Sequence, residues 1–125
     1  MSSNGGRLLA TKSGDYCPDA GDLVWIDLNL TVGHEQSGHR PAIVLTPWQY
    51  NAPSGLCIIC PITSRARGYP FEVAIPHGHD ISGIILVDQV RSVSWEKRSV
   101  TMASVAPAEL LAEIRERLAA LLQID

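Results

Sequence analysis

Apolar residues along this chain fall in short runs, most of them too brief and too rich in β-branched side chains for helices. Six strands are predicted, at 22–28, 41–46, 56–62, 70–75, 83–87 and 98–103. Between them lie clusters of Gly, Pro, Asn and Ser, such as residues 51–55 (Asn-Ala-Pro-Ser-Gly) and 76–80 (Pro-His-Gly-His-Asp), which punctuate strands as turns. Close spacing without intervening helical patterns favours antiparallel pairing. Only near the end does a 3.6-residue period emerge. There Leu110, Leu111, Ile114, Leu118, Leu121 and Leu122 share a stripe, and Glu109, Glu113, Glu116 and Arg117 face away. Pro107 suits the first helical turn, and Glu113 and Arg117 have favourable ion-pair spacing. The predicted fold is mainly β with a C-terminal helix, a small Src-homology-like antiparallel β-barrel. Residues 1–17 read as a mobile leader, and 18–125 as a single domain.

Composition narrows the class. A chain of 125 residues with 46% apolar and 18% charged side chains builds one ordinary globular core, not two and not a disordered chain. No run is long enough to span a membrane, and the first ten residues lack the apolar core of a secretory signal, which places the protein in the cytoplasm. Three cysteines agree with a reducing compartment. Cys57 and Cys60 have CxxC spacing, but in a strand residues three apart face opposite ways, so both are expected to be buried small hydrophobes. No metal or other cofactor is expected, because no second CxxC or matching histidine pair exists.

Formal net charge is −3, which argues against a strongly basic nucleic-acid surface. The distribution is uneven, however. Residues 34–98 hold six basic against five acidic groups and all four histidines, so affinity for RNA must come from local placement of Arg40, Arg65, Arg67, Arg91, Lys97 and Arg98.

Chemistry concentrates in three places. The loop at 33–41, Gly-His-Glu-Gln-Ser-Gly-His-Arg-Pro, gathers Glu35, Gln36, His39 and Arg40 between two predicted strands. Residues 61–68 follow the third strand and offer the hydroxyls of Thr63 and Ser64 with the guanidiniums of Arg65 and Arg67, a donor set suited to phosphate. Asp88, Gln89 and Arg91 form the third cluster. Each has a structural alternative: Arg40 pairing with Asp22 or Asp27, Thr63 or Asp88 holding a turn, Arg65 and Arg67 facing water.

Six segments, in order and spacing, resemble the MazF/PemK (Kid) toxin family. They are residues 21–25 (Gly-Asp-Leu-Val-Trp), 33–41, 50–51 (Tyr-Asn), 61–64 (Pro-Ile-Thr-Ser), 68–73 (Gly-Tyr-Pro-Phe-Glu-Val) and 88–92 (Asp-Gln-Val-Arg-Ser). The resemblance spans about residues 16–122. It implies a barrel of the MazF/CcdB/Kid type, a homodimer, and the toxin of a toxin–antitoxin pair. Such toxins cut single-stranded mRNA at short specific sequences without a metal. A cognate MazE-like antitoxin blocks the site with an acidic extended segment, and DNA is reached only through that antitoxin. By position, the family's catalytic arginine and threonine fall on Arg40 and Thr63. Glu35 also falls in the catalytic set, while Gln36, His39, Ser64, Arg65 and Asp88 fall at RNA-contacting positions. Two departures stand out. Leu86 occupies the place where some relatives carry a second catalytic arginine, and Leu30-Thr31 replaces the usual Pro-Thr.

Cleavage without a metal can use the ribose 2′-hydroxyl as nucleophile, giving 2′,3′-cyclic phosphate and 5′-hydroxyl ends. Arg40 and Thr63 suit charge stabilisation. The general base is open between Arg40, Glu35 and His39, an arginine pKa above about 12 leaving almost none neutral at pH 7. Two rivals stand beside this reading: a gyrase-poisoning toxin of similar fold, and a noncatalytic barrel that binds RNA or peptide.

Overall fold

The computed structural model describes residues 16–28 and 39–124. Its elements are β1 (Asp22–Asp27), β2 (His39–Val44), α1 (Trp48–Ser54), β3 (Leu56–Thr63), β4 (Glu72–Ala74), β5 (Ile84–Leu86), β6 (Arg91–Ser94), β7 (Thr101–Val105) and α2 (Ala108–Leu122), with 3-10 turns at Val87–Gln89 and Trp95–Lys97. The strands pair in the order β4-β5-β3-β2-β1-β7, with β6 also on β3, and every pairing is antiparallel. The mainly-β class with a C-terminal helix is as the sequence implies. The barrel, however, is not closed: among the described residues β4 and β7 end the ladder without pairing to each other.

The central strand explains the open form. Leu45 N–H donates to the Ile58 carbonyl (2.8 Å), and Ile58 N–H donates to Thr46 Oγ1 (3.0 Å). Residues 58, 60 and 62 therefore aim their backbone groups at β2, and 57, 59, 61 and 63 aim theirs at the other edge. That second edge is shared. β6 occupies it from Leu56 to Ile59, and β5 at Ile62 and Thr63. Pro61, with no N–H to offer, stands in the gap between them, where its missing donor costs no ladder bond.

Alternation along the strands builds two apolar layers. One contains Leu23, Ile43, Cys60, Ile62, Val73 and Ile85, and is covered by Leu110 and Ile114 of α2. The other contains Val24, Ile26, Ala42, Val44, Cys57, Ile59 and Val93. Cys57 and Cys60 thus face opposite layers, as period-two geometry requires, and both are free thiols. The helical stripe is only partly used: Leu110 and Ile114 are buried, Leu111 and Leu118 pack at the margin, and Leu122 is exposed. Pro107 stands at the N-cap of α2 rather than inside its first turn.

Three elements differ from expectation. β6 lacks apolar alternation, since Val93 is its single buried residue, and it exists because β3 offers it an edge. α1 holds a proline and was legible only as a turn cluster; it is fastened by Asn51, which is fully buried. The Asn51 amide donates to the Pro18 and Thr46 carbonyls (2.8 Å each), and its Oδ1 accepts from Thr46 Oγ1 (2.7 Å). The Asn51 backbone carbonyl accepts from Trp95 Nε1 (3.0 Å), and Asp19 Oδ1 accepts from the Trp48 N–H (2.8 Å). Finally, Tyr16 and Cys17, at the end of the expected leader, are packed. Tyr16 donates to the buried Asp22 carboxylate, and Cys17 is buried. The leader through residue 15 lies outside the described residues.

Asn51→Ala removes both donors and the acceptor at once, leaving buried carbonyls unpaired. It should cost on the order of 2–3 kcal/mol in urea unfolding, and an unchanged midpoint would contradict this account. Burial, and secondarily the Cys17 thiol, pushes the Cys57 thiol up to about 12. Burial, and then Asp88, pushes Cys60 up to about 12 as well. Unfolded thiols ionise near pH 8.5 while the folded ones stay neutral, so ionisation favours the unfolded chain. Stability should fall as pH rises from about 9 towards 12, and Cys57→Ala/Cys60→Ala should flatten that limb of a pH–stability series.

Candidate active site

The β2–β3 ladder runs Val44↔Ile59, Ile43↔Cys60, Ala42↔Pro61. Carried two residues further, the same register sets Arg40 level with Thr63, on the sheet face shared by Ala42 and Pro61. Arg91, two residues before the buried Val93 and paired with Ile59, belongs to that face too. The site is therefore the polar margin of the second apolar layer. There Arg40, Thr63, Ser64, Gln89, Arg91 and Trp25 line an open cleft of about 570 Å3. Arg40 and Arg91 are exposed, and Trp25 is partly so. Among the described residues no carboxylate pairs with Arg40; the ion pair resolved there joins Arg117 to Glu113. Two guanidiniums that pair with no carboxylate among the described residues, and a hydroxyl, converge on one cleft and make a receptor for an anion.

Thr63 is fixed by its backbone. Its Oγ1 accepts from the Arg65 N–H (3.2 Å), so the turn-holding role and the site role coexist: the oxygen is used as acceptor, and the hydroxyl proton is left to donate. Behind it, Thr63 pairs with Ile84, and Gly83 adopts φ +132. A Cβ at position 83 would lie 2.5 Å from the Thr63 carbonyl oxygen, so only glycine permits this approach.

A smaller cleft of about 150 Å3 adjoins the first, with Thr63 and Gln89 common to both. Arg65, Arg67, Tyr69, Glu72, Leu86 and Asp88 complete its wall. Leu86, the position noted above as a departure, thus lines the same cleft as Thr63 and gives it an aliphatic side chain. His39 lines a separate cleft with Tyr16, Trp95 and Thr101, away from Arg40 and Thr63. Glu35 and Gln36 lie outside the described residues. Trp25 and Arg91 also enter the main cleft. The signal for Arg91 was its place in the Asp88 cluster. Trp25 gave none beyond being one aromatic among several.

Over residues 19–122 the sequence matches the family of PemK-like, MazF-like toxins of type II toxin–antitoxin systems. The chain belongs to that family. It is 49% identical over 96 residues to the endoribonuclease toxin MazF of Escherichia coli K12, covering 76% of this chain and 86% of that protein. It is 30% identical over 120 residues to the endoribonuclease PemK of Escherichia coli, covering 93% and 89%. The crystal structure of a MazE–MazF complex from Deinococcus radiodurans superposes with a TM-score of 0.79 at 45% identity, covering 88% of this chain and 99% of that one.

Gly83→Ala should lower stability by about 1–3 kcal/mol and push on the strand end that carries Thr63. A variant that keeps the wild-type Tm would show that the approach of Gly83 to Thr63 is not needed.

Proposed function

We propose that this chain is the toxin of a type II toxin–antitoxin pair and acts as a sequence-specific endoribonuclease on single-stranded mRNA. The observation that carries this reading is the β2–β3 register, which brings Arg40 and Thr63 to one cleft with no carboxylate neutralising Arg40 among the described residues. A site of that kind receives a phosphodiester.

The ribose 2′-oxygen attacks the adjacent phosphorus, the bond to the 5′-oxygen breaks, and the products are a 2′,3′-cyclic phosphate and a 5′-hydroxyl. Arg40 supplies forked donors to the nonbridging oxygens as charge builds, and the Thr63 hydroxyl donates beside it. Arg40 also gives the proton to the leaving oxygen. Only RNA carries the internal nucleophile, so DNA is not cut. Exposed Trp25 offers a face on which a base can stack. For the proton taken from the 2′-hydroxyl, the cleft itself holds Arg40. His39 faces another cleft, and Glu35 is the remaining candidate.

The protein works as a cytoplasmic homodimer and is silenced by a MazE-like antitoxin. An acidic extended segment of that antitoxin would compete with RNA for the same guanidiniums. Relatives solved as MazE–MazF complexes support this partner. No described helix is long and apolar enough to cross a membrane.

Pure protein incubated with a long single-stranded RNA in EDTA should give cuts at a short recurring sequence with cyclic phosphate ends; intact RNA would sink the proposal. Arg40→Ala and Thr63→Ala should each lose about 100- to 1000-fold in rate while remaining folded by circular dichroism. His39→Ala should leave the pH profile of cleavage unchanged, and a shifted limb would make that histidine the base.

A further inference from the structure

The loop between β3 and β4 carries Arg65, Arg67 and Tyr69, all exposed, yet the residue that closes it is acidic. A carboxylate beside an RNA path repels phosphate unless its charge is already engaged. Glu72 is engaged. Its Oε1 accepts from the Arg67 and Gly68 N–H groups (3.0 Å each), and its Oε2 accepts from Arg67 N–H (3.1 Å). It spends its charge on main-chain donors rather than on the neighbouring guanidiniums, which pair with no carboxylate among the described residues. The loop is held at two further points. Thr63 Oγ1 accepts from Arg65 N–H at its start, and Arg117 of α2 donates to the Pro70 carbonyl near its end.

We propose that Glu72 is a positioning residue for RNA binding, folding the 64–71 loop so that Arg65 and Arg67 present free guanidiniums beside Thr63. This rests on the ribonuclease reading of the site. Glu72 itself touches no RNA. It acts through the two arginines, which neutralise phosphates flanking the one that is cut. Binding therefore depends on Glu72, and the chemical step at Arg40 and Thr63 does not.

The test compares the wild-type chain, Glu72→Ala, Glu72→Gln, and the Arg65→Ala/Arg67→Ala pair by steady-state cleavage of one single-stranded RNA at several salt concentrations. Glu72→Ala should raise KM roughly tenfold with kcat within about twofold of wild type. Its salt slope should fall by ~1.4, the loss of two phosphate contacts on a single strand. Glu72→Ala added to the arginine pair should change nothing more, because both act on the same contacts. Glu72→Gln keeps an acceptor oxygen for the loop, so its KM and slope should lie between the two. A folded Glu72→Ala variant with wild-type KM and slope, or one whose effect adds to the arginine pair, overturns the proposal. If Glu72→Ala fails to fold, Glu72→Gln decides in the same way: intermediate values support the proposal and wild-type values overturn it. A wild-type chain that leaves RNA uncut would instead bring down the ribonuclease reading.

Discussion

β3 is hydrogen-bonded along both edges, and most of the molecule is arranged by that fact. One edge belongs to β2. The other is divided between β6 and β5 at Pro61, whose missing N–H falls at the handover. Because β6 and β5 share one edge, the sheet branches at β3. Beyond Pro61 the ladder to β2 has ended while β5 still pairs with Thr63, and there Thr63 lies level with the register position of Arg40. The cleft is thus a consequence of pairing: it lies where the ladder between β2 and β3 has ended while the two strands still share a face.

Packing and chemistry divide that face between them. Ala42, Val44, Ile59 and Val93 are buried together, and Arg40, Thr63 and Arg91 continue the same rows into solvent. Arginines on such rows are pre-aimed, because their Cα positions are fixed by a ladder rather than by a loop. Burial also separates roles among the reactive groups. The thiols of Cys57 and Cys60 are packed into opposite layers, whereas the guanidiniums of Arg40 and Arg91 are exposed.

Much of this was legible in the sequence. The β-branched runs marked β1, β3 and the neighbourhood of β2, and the leucine period marked α2, because each buries a continuous face whose pattern survives in one dimension. β6 was not legible. Arg91 and Ser92 have no strand pattern of their own, and the segment is extended because Leu56–Ile59 lies beside it. α1 was hidden for a related reason: Asn51, Pro53 and Gly55 read as a turn, and the helix persists through the hydrogen bonds of one buried amide. At the site, Arg40 and Thr63 stood out as chemistry, but their shared face depends on a register that only pairing fixes. Glu72 gave no warning, since a glutamate in a strand shows nothing of the main chain it will hold.

Thr63 is held from three sides by main chain: its own strand, the turn it closes with Arg65, and the glycine packed against its carbonyl. None of those restraints uses a side chain of the loop that follows. The turn bond to Thr63 Oγ1 also anchors the loop that follows, so this one hydroxyl ties the cleft to the surface that carries Arg65 and Arg67. Because those restraints are all main-chain, side chains of the loop can be substituted without displacing Thr63.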